Sequence, residues 1–103
     1  MGVQIQGREY DFKYTDRRIE IIERTTGKPL MANLIQNQGM LSIADMRVAF
    51  VQGLKEIDSG HYIPQKMGEE AFKETLETVG YVPLMTMIYE ALERDCGFFF
   101  QGL

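Results

Sequence analysis

Few residues in this chain are of types and spacings that do chemistry. His61 is its single histidine and follows Asp58-Ser59-Gly60. In an enzyme it would act as general base, with Ser59 as the nucleophile it activates. Near neighbours in one loop rarely reach the geometry such a pair needs, and no oxyanion-hole motif accompanies them. The pattern favours an exposed loop histidine. Cys96 is equally alone, which excludes an internal disulfide and a thiolate-rich zinc site. At the end of an apolar helical pattern it reads as a small core filler. Of the fifteen Asp and Glu residues, Glu69, Glu70, Glu74 and Glu77 share one predicted helix and read as its solvated face. No Asp-rich calcium loop, phosphate-binding glycine loop or dinucleotide fingerprint is present. The expectation is a protein that is not an enzyme, with no catalytic residue, cofactor or metal.

A chain of 103 residues with 45% apolar and 25% charged residues predicts one ordinary globular domain over residues 1–103. Its net charge of −4 is a poor match for nucleic acid, whose affinity comes from Lys and Arg displacing counterions. The basic residues Arg17, Arg18, Arg24 and Lys28 are interleaved with Asp16, Glu20 and Glu23, which largely cancel them. No apolar run approaches the roughly 20 residues that cross a bilayer. The N-terminus lacks a secretory pattern, and Gln6 stands where a myristoylation signal wants Ser or Thr. A cytoplasmic location without membrane attachment is expected.

The elements follow from periodicity. Val3 and Ile5 alternate with Gln4 and Gln6, and Tyr10, Phe12 and Tyr14 alternate with Asp11 and Lys13, predicting a hairpin over residues 3–14 that turns at Gly7. The helical region spans 15–96. Thr15 caps a first helix that Gly27 ends, and Pro29 opens a second that stops near Gly39. Ser42 caps a central helix in which Ile43, Met46, Ala49, Phe50 and Leu54 recur at helical spacing, with Ala44, Val48 and Val51 widening its apolar face. The stretch from Lys55 to Gly68 reads as a connection. Two more helices cover Glu69 to Val79 and Pro83 to about Asp95, and residues 97–103 form a short tail. The predicted fold is α+β and mostly helical: an N-terminal β-hairpin followed by about five helices in one small domain.

Two features point to partners. Seven methionines are many for this length, and Met85 and Met87 lie on the last helix with Leu84, Ile88 and Leu92, odd- and even-numbered positions that cannot all face one core; the alternative is a helix buried on two sides. Phe98-Phe99-Phe100 place three aromatic rings together beyond that helix, where they either dock back onto the core or contact something else. Met85, Met87, Phe98, Phe99 and Phe100 are the candidate protein-binding surface, and self-association is expected.

The order of signals resembles the tail assembly chaperones of long-tailed bacteriophages and related prophages. The family pattern is a short hairpin, then a helix ending in Glu-x-x-Thr/Ser-Gly, here Glu23-Arg24-Thr25-Thr26-Gly27. A Leu-Ser-x-x-Asp helix closing on Gly-Leu follows, here Leu41-Ser42-Ile43-Ala44-Asp45 and Gly53-Leu54. Two further helices end in Ala91-Leu92 and Gly97-Phe98-Phe99. The resemblance implies a non-catalytic, homo-oligomeric protein of the host bacterial cytoplasm that is absent from the mature virion. It would keep the tape measure protein soluble and assist polymerisation of the tail tube protein, with no nucleic acid or membrane partner. Such chaperones are commonly made in two lengths through ribosomal frameshifting, and phenylalanine codons can supply the T-rich run on which ribosomes slip. The alternative expectation is a small prophage-encoded regulator that binds a host protein.

Overall fold

The computed structural model describes residues 2–97. Strand β1 (Val3–Ile5) and strand β2 (Arg8–Phe12) form the hairpin, with Val3 opposite Tyr10 and Ile5 opposite Arg8. The turn residues Gln6 and Gly7 both have positive φ, 52° and 76°, the pairing whose twist matches that of the flanking strands. Tyr10 and Phe12 are buried, Val3 and Ile5 half-buried, and Gln4, Gln6 and Lys13 exposed. The fold is therefore the expected α+β arrangement of one hairpin and five helices, α1 (Asp16–Thr26), α2 (Leu30–Gln36), α3 (Ile43–Gly53), α4 (Gln65–Val79) and α5 (Tyr81–Asp95).

The caps stand where the sequence places them. The Thr15 hydroxyl accepts from the Arg18 amide and the Ser42 hydroxyl from the Asp45 amide. Gly27 takes φ 73° as its amide donates to the Glu23 carbonyl, a left-handed ending that favours glycine.

Three expectations are corrected. The stretch after Gly53 contains a third strand, β3 (Leu54–Glu56), antiparallel to β2 with Phe12 opposite Leu54 and Tyr10 opposite Glu56. Three residues are too few to display alternation; the strand exists because β2 offers a second hydrogen-bonding edge. Helix α4 starts at Gln65, four residues before the expected Glu69, and Gly68 lies inside it. That glycine is a close approach: a Cβ there would stand 3.0 Å from Val51 and Ile63 methyls. The central helix α3 buries Met46, Ala49, Phe50 and Val51, but Ile43 and Ala44 in its first turn are exposed.

Phe50 is fully buried and meets Phe12 and Phe72 edge-on, each at 5.5 Å between ring centroids. Tyr14, also buried, donates its hydroxyl to the Ala49 carbonyl at 2.7 Å. Its amide donates to Asp95 Oδ2 at 2.9 Å, and Arg94 donates to the Phe12 carbonyl. The end of α5 is thus tied to the end of β2. No helix among the described residues is long and apolar enough to cross a membrane.

Candidate functional site

The sheet order is β1-β2-β3, so each outer strand has one edge to protect. The edge of β3 is covered by its own chain. The Ile63 amide donates to the Leu54 carbonyl, the Glu56 amide donates to the His61 carbonyl, and Tyr62 bridges to Lys55. Among the described residues no such strand lies beside the edge of β1. It borders a groove of about 380 Å³ whose opposite wall is α4. Val3, Ile5, Met67 and Met87, all half-buried against the core, give the groove its apolar floor together with Ala71. Glu70 and Glu74, one helical turn apart and exposed, stand on the α4 wall; among the described residues they are the groove's only charged lining.

The expected binding residues divide between core, groove and tail. Met85 is a correction: it is 2% exposed and belongs to the core. Helix α5 is buried over a wide arc, with Leu84, Met85, Ile88, Ala91 and Leu92 all inside, so two adjacent positions can both be covered. Met87 lies on the flank of that arc and reaches the groove. Phe98, Phe99 and Phe100 lie outside the described residues. The β1 edge and the α4 wall were not among the expected binding residues. The short alternating run with no partner on its outer side was the available signal for the edge. The positions of Glu70 and Glu74 beside it depend on packing between distant elements.

Searches against protein-family models, curated proteins and solved structures returned no match.

The polar clusters elsewhere have structural work. The Ser59 hydroxyl donates to Glu56 Oε1 at 2.8 Å and accepts from the His61 amide. Its proton is directed at a carboxylate, and the arrangement closes the loop beside β3. This hydrogen bond, helped by Arg8 at 3.2 Å, holds the Glu56 carboxyl below its ordinary range. Burial by itself would raise the Asp45 carboxyl, but Lys28 Nζ at 2.8 Å, Asn33 Nδ2 at 3.0 Å and Ser42 outweigh it and hold the group low. Glu23 accepts from the Leu30 amide at 2.8 Å. Glu23 and Asp45 thus lock the α1–α2–α3 junction.

The basic residues of α1 are dispersed among partners. Arg18 stacks over Tyr62 at 3.5 Å and donates to Gln52, while Arg24 pairs with Glu20. Cys96 is fully buried, and burial pushes its thiol up. Among the described residues no group of three or more His, Cys, Asp or Glu side chains is placed to hold a metal ion.

Proposed function

We propose that this chain is a non-catalytic tail assembly chaperone that binds the tape measure protein and assists tail tube polymerisation, with the β1–α4 groove as its client site. The observation that carries the reading is the groove itself, an apolar floor of Val3, Ile5, Met67, Ala71 and Met87 beside a strand edge that no other strand among the described residues pairs. Such a surface suits a client segment that aggregates when left uncovered. Methionines at its floor adapt to varied side chains along one long client. The ordered capping motifs of the resemblance add support, since Glu23, Gly27, Ser42 and Asp45 build the helix junctions of this fold. Net charge of −4 helps many copies remain dissolved along one client. Self-association belongs to the same reading, and Ile35 and Ile43, each about half exposed, offer apolar area on elements that do not line the groove.

The test is co-expression with the tape measure protein encoded in the same gene cluster. The soluble fraction of the client should rise in the presence of this chain and fall back when Met87 is replaced by Glu. A client equally insoluble with and without the chain refutes the reading.

A further inference from the structure

We infer that the β1–α4 groove binds its partner as an added β-strand carrying Lys or Arg at alternate positions, an inference that deepens the chaperone reading of the same groove. Three observations carry it. First, β1 is the sheet edge that no strand among the described residues covers, and its pairing leaves specific groups available. Ile5 and Arg8 close the two-residue turn as the hydrogen-bonded pair, so the next pair, Gln4 and Glu9, is not hydrogen-bonded. The Gln4 amide and carbonyl therefore point away from β2, toward an incoming strand.

Second, the spacing on the opposite wall matches a strand. Glu70 and Glu74 are four residues apart on α4, a rise of about 6 Å. Side chains on one face of a strand recur every about 6.7 Å. A strand lying along the groove brings two successive same-face side chains to the two carboxylates. Third, the floor between edge and carboxylates is apolar. Lys and Arg suit that sequence of environments, because their methylene stems cover Met67, Ala71 and Met87 while their charged heads reach the Glu residues. Charge also sorts the possible occupants. A second copy paired edge to edge through β1 would bring its own Glu70 and Glu74 toward the first pair, whereas a basic strand neutralises them.

The experiment uses the full chain and three short blocked peptides: one alternating Lys with Val, one of the same composition with its Lys residues grouped, and one alternating Glu with Val. The alternating Lys peptide should bind, shift the backbone amide resonances of Gln4 and its neighbours, and weaken with added salt. Glu70→Gln combined with Glu74→Gln should weaken it about tenfold. Gln4→Pro removes the outward amide without breaking a bond to β2 and should also weaken it about tenfold, with circular dichroism confirming that each variant is folded.

Equal binding of the grouped peptide, indifference to Gln4→Pro in a folded variant, or no binding at millimolar peptide each overturns the inference. So does concentration-dependent dimerisation that Gln4→Pro abolishes, which would make a second copy the occupant. If the tape measure protein is still kept soluble by the triple variant Gln4→Pro, Glu70→Gln, Glu74→Gln, the chaperone reading stands and strand addition falls. Peptide binding without client rescue has the opposite meaning.

Discussion

Replacing Gly53 by Ala should unseat Tyr14, the ring that joins the hairpin to the central helix. A Cβ at Gly53 would lie 2.3 Å from Tyr14 Cζ and 2.5 Å from its hydroxyl oxygen, far inside van der Waals contact. The ring has nowhere to retreat, being 1% exposed, with its hydroxyl engaged at the Ala49 carbonyl. Forcing extra volume into a packed core costs about 1–3 kcal/mol, and the separation here argues for the upper part of that range. Loss of the Tyr14–Ala49 hydrogen bond adds about 1 kcal/mol. Helix propensity opposes these effects by at most about 1 kcal/mol, the ordinary gain of Ala over Gly. The net is a destabilisation of about 2–3 kcal/mol, which urea unfolding would register as a midpoint lowered by about 2–3 M for a slope near 1 kcal/mol/M. In a Tyr14→Leu background the obstacle is smaller, and the same substitution should cost at least about 1 kcal/mol less. A Gly53→Ala midpoint equal to or above that of the parent, or an equal cost in both backgrounds, would refute the reasoning.

Phe50→Ala should destabilise by about 3–5 kcal/mol, because it empties the contact between Phe12 and Phe72; a loss under about 1 kcal/mol in chemical denaturation would contradict its central place. Acid should weaken the fold through Asp45 and Asp95, whose carboxyls are held below their usual range. Groups with depressed folded values stabilise above the unfolded value of about 3.9 and lose that contribution as pH falls through the folded value. The urea midpoint should therefore drop between pH 5 and pH 2, less steeply in Asp95→Asn, and a flat profile would count against the two networks. Cys96 should resist a thiol reagent in the native protein and react on unfolding, since it is buried with its thiol pushed up; immediate native labelling would show that α5 opens freely.

Features with local causes were legible in the sequence. The hairpin turn, the Thr15 and Ser42 caps, and the Gly27 ending each depend on a few neighbouring residues whose chemistry admits few backbone conformations. Phe50 was legible because helical spacing exposes a central core position directly. What escaped was non-local. Leu54-Lys55-Glu56 becomes a strand only because β2 stands beside it, and Gly68 resembles a helix breaker until Val51 is seen against it. Met85 and Met87 carry the same chemistry two residues apart, yet one is core and the other borders a groove. Their difference comes from how much of α5 the hairpin and the other helices cover. The site was legible only in part for the same reason: a groove between β1 and α4 requires elements more than sixty residues apart in sequence to meet.

The tie between Tyr14 and Asp95 spans 81 residues, and it has a consequence for how the protein is made. At about 5–20 residues per second, the ribosome needs about 4–16 s to pass from the first of these residues to the second. Until α5 is made, the inner side of α3 lacks the helix that packs against it. Local helices can form early, but the closing contact cannot precede synthesis of the final helix. The tie between the end of β2 and the end of α5 is therefore among the last contacts the nascent chain can make, and substitutions at Asp95 or Arg94 would remove it.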